Sequence, residues 1–439
     1  MITRIIRLSG WMLAVLLVAD LAIAGGIINK NNQSAEYMRT LSRHAATDYA
    51  DIAVYNPAGT AKMKDGLYTK LDLMYFGKDY YNDVPGYGEL SQDDPSLVPA
   101  FFTIYKKKKW AGFFAFTVPA GGGELNYENG DARTVQLATG VAGAANAALA
   151  ANNIPDTFYY NQIDAGSLEV KQSSVYGFTF GGSYAINDAW SLAVGARYST
   201  GTREFDGSAT ISASNPLDLG GGQINAPLTP SLNLEEDASG WAGILGVNFA
   251  PNEKLNTALT FISNTKMDYE MDVKQDTTLP DGSSLAAAIG YPDGSNRRID
   301  IPAQLGFGIS YRFTPPFKVD FNYTYYLEKD AEIDTYEDEG NSWDLAISGE
   351  YTFTPRWKAS LGYALTNIAL DADEQINEPE EPKLDANSFA GGVVWSATAD
   401  LDVTLAAAYI MYEDVTDSMG IEYGKTVTNV SLGVQYRFF

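Results

Sequence analysis

From Gly66 to the C-terminus, apolar and polar residues alternate with a period of two, the spacing of strands with one apolar face. Phe317, Val319, Phe321, Tyr323 and Tyr325 interleave with Lys318, Asp320, Asn322 and Thr324. Trp190, Leu192, Val194, Ala196 and Tyr198 interleave with Ser191, Ala193, Gly195 and Arg197. The stretches starting at Trp357 and Leu401 repeat the pattern, and so does the last one, through Val430, Leu432, Val434, Tyr436 and Phe438. The connections alternate as well. Short turns are expected at 106–109, 187–188, 251–254, 314–316, 354–356 and 397–400. Long acidic or glycine-rich loops are expected at 78–97, 119–170, 207–236, 275–300, 329–341, 371–386 and 415–425. Tight turns at one end, long loops at the other and aromatic residues at the ends of the stripes predict an all-β fold: a transmembrane antiparallel β-barrel of about 14 strands.

Two stretches depart from the alternation. In the third expected strand, Trp110-Ala111-Gly112-Phe113-Phe114-Ala115-Phe116 is apolar on both faces. A water-filled barrel needs a polar inner face, so an apolar one suits a lumen that handles greasy molecules. Pro119 and Gly121 follow; proline removes a ladder donor and glycine marks a bulge or kink. The segment reads either as a kink opening the wall towards lipid or as a strand end running into a loop. Residues 135–152 read as a short apolar helix inside a loop, with Leu137, Val141 and Leu149 on it, and 285–289 is a second apolar patch. These patches either form a landing surface for hydrophobic ligands or pack on each other.

The N-terminus reads differently from the rest. Arg4 and Arg7, an apolar run from Trp11 to Val18 and Ala22-Ile23-Ala24 predict a cleaved export leader over 1–24. Residues 25–65 are then a polar hatch, or plug, ahead of a barrel over 66–439. The hatch contains the only histidine, His44, and the turn Asn56-Pro57-Ala58-Gly59. Arg39, Arg43, Asp48 and Asp51 are expected to pair with one another or with lumen charges, since an unpaired buried charge is costly.

Composition narrows the function. No cysteine and one histidine leave little for nucleophilic or metal chemistry, so no catalytic residue, metal site or cofactor is expected. A net charge of -25 disfavours nucleic acid as a partner. The acidic runs at 336–339 and 378–381 have the chemistry to bind divalent cations but read first as solvated loop surface at the lipopolysaccharide level.

With these features in place, the chain resembles the outer-membrane long-chain fatty acid and aromatic hydrocarbon transporters, the FadL/TodX-type channels. The likeness rests on Asn56-Pro57-Ala58 ahead of the first strand, on Tyr184-Ala185-Ile186-Asn187-Asp188-Ala189-Trp190-Ser191, and on Gly433-Val434-Gln435-Tyr436-Arg437-Phe438. It implies a barrel of fourteen strands in the Gram-negative outer membrane, closed by the hatch. A hydrophobic ligand is captured among the outer loops, binds an internal apolar site and leaves sideways through a kinked third strand near the hatch motif. Outer-membrane lipid, lipopolysaccharide and the barrel assembly machinery, reading the C-terminal strand, are the other expected partners of a monomer. The competing expectation is a structural or adhesive barrel whose long acidic loops bind a partner. For a ligand headgroup, Lys70, Arg197, Lys318 and Lys358 stand as equal candidates.

Overall fold

The computed structural model describes residues 26–218, 222–279, 282–337 and 339–439; the expected leader over 1–24 lies outside them. Fourteen antiparallel strands form the wall. They are β1 (Gly66–Val84), β2 (Gly88–Gln92 and Ser96–Lys107), β3 (Trp110–Gly121, resuming at Leu125–Tyr127) and β4 (Tyr160–Ala185). Next come β5 (Trp190–Ala213), β6 (Ser231–Phe249), β7 (Leu255–Ile262 and Asp268–Gln275), β8 (Asn296–Arg298 and Ala303–Thr314) and β9 (Phe317–Leu327). The series ends with β10 (Trp343–Thr354), β11 (Trp357–Asn367), β12 (Ala386–Ser396), β13 (Leu401–Tyr412) and β14 (Glu422–Arg437). β14 pairs back onto β1, with Val434 opposite Leu71 and Leu432 opposite Leu73, so the sheet closes without an edge.

The alternation sorts side chains in the reverse sense to a water-soluble protein. Leu361 is 75% exposed and Val194 64%, whereas Lys70, Asp72 and Ser191 are buried. Apolar residues turned out and polar ones turned in are what a bilayer demands. Trp190, Trp357, Trp395 and Tyr436 stand exposed at the short-turn end of their strands.

Several expected outer loops are strand instead. β1 runs to Val84 and returns from Gly88 through a tight turn, where a loop over 78–97 was expected. β4, β5 and β6 likewise extend into 160–170, 207–213 and 231–236. Beyond the hydrocarbon layer neither face needs to be apolar, so the sequence pattern fades while the backbone ladder continues.

Residues 26–65 fill the lumen. Ser34 caps α1 (Ala35–Thr40) by accepting the Tyr37 amide at 3.0 Å. α2 (Ile52–Tyr55) leads through Asn56 into a 3₁₀ turn, Pro57–Lys62, which ends just before β1. α1, α2 and almost all of that turn are buried. His44 packs where Gly306 and Gly308 of β8 leave room: a Cβ on Gly308 would stand 2.5 Å from the Ala45 nitrogen.

Candidate functional site

The wall has a seam between β2 and β3. These strands pair from Lys107 opposite Trp110 up to Phe101 opposite Phe116, and there the pairing ends. Above that point residues 96–100 of β2 pair only with β1. On the other side β3 slips against β4 between Thr117 and Ala120. Each lip carries a proline, Pro99 and Pro119, the residue that cannot donate to a ladder. Gly121 has φ +106°, and a Cβ there would overlap the Ser173 carbonyl, so the bend requires glycine. Beyond this bend β3 resumes its pairing with β4, so the chain does not pass straight from strand into loop at Pro119.

The side chains of β3 divide as expected for two apolar faces. Phe113 and Ala115 point inward and are buried in one apolar cluster with Ile52, Val54 and Tyr55 of the hatch. Phe114 and Phe116 are half-buried on the outer face, where Phe114 meets Phe101 and Phe116 meets Tyr176 and Phe178. Pro119 is buried at the bend.

The Asn56-Pro57-Ala58-Gly59 turn directs its hydrogen bonds to β5, β6 and the hatch itself rather than to the lips of the seam. Asn56 donates to the Ala46 carbonyl at 2.9 Å and to Asn248 Oδ1 of β6 at 2.8 Å, and it accepts the Gly59 amide at 3.1 Å. Ser191 of β5 donates to the Ala58 carbonyl at 2.7 Å, and Pro57 and Ala58 pack over Gly246 of β6. The motif is therefore a buried joint between hatch and the β5–β6 wall. The seam is met by an extended strap at the start of the hatch. Asn29 bridges Ala120, the Lys30 amide donates to the Pro119 carbonyl at 2.8 Å, and Thr117 donates to Gln33 Oε1 at 2.7 Å. Nothing local in the sequence marks this strap, because its partners are some ninety residues away.

The hatch charges do pair with each other and with the lumen. Arg43 grips Asp51 through two hydrogen bonds, 2.9 and 2.8 Å, and reaches Asp48 at 2.8 Å. Arg39 holds Glu36 and, at 2.6 Å, Glu350 of β10. Of the four headgroup candidates, Lys70 is bound to Asp72, Lys318 to Asp320 at 3.2 Å, and Lys358 to Glu350 at 3.2 Å. Arg197 alone of the four has no acidic partner among the described residues. It is 4% exposed, touches only Thr265 Oγ1 at 3.5 Å, and leaves its Nε unsatisfied. Its alkyl stem lies beside Gly177, which also faces the Pro119 ring. Arg197 is thus a buried guanidinium without a counter-charge, set beside the kink.

On the outer side, α3 (Ala132–Ala151) and α4 (Leu285–Ala288) bring the two apolar loop patches together. Leu137, Val141, Leu285 and Ile289, with Phe205, Leu234 and Met271, line a cavity of about 90 Å³. Leu149, near the end of α3, does not line the cavity but packs with Tyr160 and Ile211 in the same apolar cluster as Val141 and Leu285. Arg133, Glu236 and Arg297 border the cavity, and Arg297 holds Glu236 through bonds of 2.6 and 2.9 Å.

Residues 378–381 correct another expectation. They are not solvated surface: Glu378, Glu380 and Glu381 are all buried, because the loop after β11 folds into the barrel mouth. Glu378 binds Arg203 at 2.6 Å and accepts from Tyr336 at 2.9 Å, while Glu381 binds Lys30 at 2.9 Å and Lys383 at 3.0 Å. Burial opposes the charge on Glu378, but Arg203, Lys383 and Arg297 outweigh it and hold the carboxyl at about 2. The Arg203–Glu378 pair borders a second, smaller cavity at the kink, lined by Ile27, Ala120, Gly121, Val175, Tyr269 and Ile301. Outer cavity, ion-pair layer, inner cavity and seam thus follow one another along the wall.

Among known proteins, the long-chain fatty acid transport protein of Escherichia coli O6:H1 is 21% identical over 269 residues. The match takes in 54% of this chain and 59% of that protein, so the chain spans less than two thirds of the relative's length. In fold, a FadL homologue of Pseudomonas aeruginosa superposes with a TM-score of 0.66 at 14% identity, over 94% of this chain and 100% of that one. The Pseudomonas putida toluene transporter TodX gives 0.59 at 13%, over 90% and 96%. The profile of the outer membrane protein transport protein family (OMPP1/FadL/TodX) matches residues 15–436. With the closed barrel and its lipid-turned apolar face, this match assigns the chain to that family of Gram-negative outer-membrane β-barrels.

Proposed function

We propose that this barrel is a passive transporter, not an enzyme, that takes up hydrophobic compounds and releases them sideways into the membrane. Long-chain fatty acids or hydrocarbons are the substrate classes, in line with the names of a fatty acid transport protein and toluene transporters among its relatives. The observation that carries the proposal is the seam: two strands that stop pairing, a proline on each lip, and a strap rather than a wall behind it. An apolar solute gains about 25 cal/mol per Å² on leaving water for hydrocarbon. The polar surface layer is the barrier, and a path from an outer apolar cavity to a gap in the wall bypasses it without an energy source.

In this reading Leu137 and Val141 receive the ligand, and the Arg203–Glu378 layer yields to it. The chain of the ligand settles against the kink, and Arg197 takes a carboxylate where there is one. The strap then leaves Pro119 and the ligand passes between β2 and β3. The outer loops face lipopolysaccharide, the C-terminal strand is what the assembly machinery reads, and the barrel acts as a monomer.

The test exploits the absence of cysteine. Pro99→Cys with Pro119→Cys, joined by a short bis-thiosulfonate that forms a disulfide with each cysteine and loses a sulfinate at each end, should abolish uptake of labelled fatty acid and of toluene by cells, and reduction of the linker should restore it. Full uptake through the joined barrel would sink the lateral route.

A further inference from the structure

The turn between β2 and β3 reads Lys106-Lys107-Lys108-Lys109, consecutive cations in a chain of net charge -25. The other short turns carry at most one cation each. Lys106 turns inward, where Asp65 binds its ammonium at 3.1 Å and also accepts the Lys108 amide at 2.9 Å. Lys107, Lys108 and Lys109 are exposed, and among the described residues none of them forms a salt bridge. Lys109 Nζ donates to the Ile186 carbonyl at 3.4 Å and lies 6.0 Å from the centre of the Tyr184 ring. Adjacent ammonium groups repel one another, and an anion bound among them relieves that repulsion.

The cations stand at the rim of the lipid-facing wall. Lys107 lies opposite Trp110, and both continue the outward rows that hold Tyr105 on β2 and Phe114 on β3. Trp110 is 65% exposed and packs on Tyr184 of β4, with ring centres 4.5 Å apart. Tyr105 is exposed too and meets Phe439. Such aromatics mark the boundary between hydrocarbon and headgroups, so the ammonium groups stand at headgroup level. Just above them the wall is bare. Gly112 of β3 lies opposite Gly182 of β4, and a Cβ on Gly112 would have no neighbour nearer than the Gly181 carbonyl at 4.0 Å. Tyr105 across the ladder, with Trp110 and Phe114 along the strand, bounds this notch.

We propose that this foot of the β2–β3 hairpin binds an anionic phospholipid of the inner leaflet, of the phosphatidylglycerol or cardiolipin class. The lipid phosphate meets the ammonium groups of Lys107, Lys108 and Lys109, and an acyl chain lies in the glycine notch against Tyr105 and Trp110. Charge picks the headgroup and the aromatic rim sets its depth. Lipopolysaccharide is anionic as well, but it lies at the long-loop end of such a barrel, away from this turn. The site is separate from both cavities and does not depend on ligand leaving through the seam.

The test uses the full barrel purified in mild detergent. It is titrated with dioleoyl-phosphatidylglycerol and, in parallel, with dioleoyl-phosphatidylcholine, and bound lipid is counted by native mass spectrometry. One basic residue near an anionic surface contributes about a factor of five, so three should favour the anionic lipid by about tenfold to a hundredfold. Equal affinity of the wild type for the two lipids overturns the proposal. Lys107→Gln with Lys108→Gln and Lys109→Gln should bring them within about twofold of each other. Taking the same charge from elsewhere on the short-turn end, by Lys254→Gln with Arg312→Gln and Arg356→Gln, should leave the preference intact. An equal loss in both triple variants overturns the proposal, because overall charge then accounts for it. Excess glycerol phosphate should not displace the lipid; displacement would make this a site for a free phosphate and overturns the lipid assignment. If the lysine variant does not assemble, the wild type decides, reconstituted in phosphatidylcholine nanodiscs with a minor share of phosphatidylglycerol bearing a diazirine on its acyl chain. Crosslinks should fall mainly within residues 105–114 and 180–184, and crosslinks spread evenly around the wall overturn the proposal.

Discussion

The amide of Lys30 stands 2.8 Å from the carbonyl of Pro119, so a hatch residue occupies a ladder position that β2 has given up. One backbone bond and the Asn29–Ala120 bridge beside it stand in for a stretch of β2–β3 wall. A strap held by few bonds opens at less cost than a continuous ladder, since each net hydrogen bond is worth about 0.5–1.5 kcal/mol.

The bend itself is the first point to test. Gly121→Val places a side chain at φ +106° and onto Ser173, a cost of roughly 1–3 kcal/mol for the conformation alone. The barrel should still form, with a lower unfolding midpoint in urea and reduced uptake of every ligand.

Arg197 should separate acids from neutral compounds. Charge-assisted hydrogen bonds contribute about 1.5–3 kcal/mol, so Arg197→Gln should weaken fatty acid binding about tenfold to a hundredfold. Toluene binding should stay within about twofold, because toluene has no group for the guanidinium. Titration of the detergent-purified barrel with both ligands measures the difference.

In the outer cavity, Leu137→Asp or Val141→Asp puts a carboxylate into an apolar lining. Half-saturation of uptake should move to higher ligand concentration while the maximal rate is kept, because the step removed is capture. A fall in maximal rate alone would count against a capture role.

Asn56→Ala leaves the Ala46 carbonyl without its donor and Asn248 Oδ1 with Asn256 alone, in a buried joint. A loss of about 1–3 kcal/mol is expected, read as an earlier unfolding transition. Conductance of the barrel in planar bilayers should rise as the hatch loosens.

His44 supplies a pH dependence. Its Nδ1 hydrogen donates to the Tyr55 carbonyl at 3.1 Å and Thr324 donates to Nε2 at 2.9 Å, which fixes the neutral tautomer. Burial lowers its pKa from 6.5 to about 4, against a smaller opposing pull from the Tyr55 carbonyl. The folded state thus binds fewer protons than the unfolded one. Stability is complete above pH 6.5 and falls between 6.5 and about 4, by about 3 kcal/mol in all. Urea unfolding at several pH values should show the slope, and His44→Gln should remove it.

The wall was legible from the sequence because each strand carries its own signature: Phe321 out and Asp320 in are decided by neighbours one residue apart. The kink was legible as Pro119 and Gly121, though Pro99, the matching proline on the other lip, passed unnoticed amid apolar neighbours. The helix at Ala132–Ala151 was legible from its alanines, and its Asp131 cap with the Thr134 box sharpens its start. What could not be read depends on long-range contact. Glu381 meets Lys30 across 351 positions, so no local pattern tells a solvated acidic loop from one folded into the mouth. For the same reason Asn56 stood out by type, while its partner Asn248, 192 positions away, did not. The four headgroup candidates looked alike until the carboxylates around three of them came into view.

The pairing of Arg39 bears on the order of assembly. Its carboxylate Glu350 lies 311 positions downstream, and Glu36 beside it accepts from Thr404 of β13, 368 positions away. The counter-charges of the plug thus lie on the polar inner face of strands made late in the chain. β10 and β13 meet these partners only where the plug is in place, and β14 closes onto β1 around it. The first segment to be made is then the mandrel on which the final ones are wound, and its polar residues act as a gauge that a misregistered late strand fails to match.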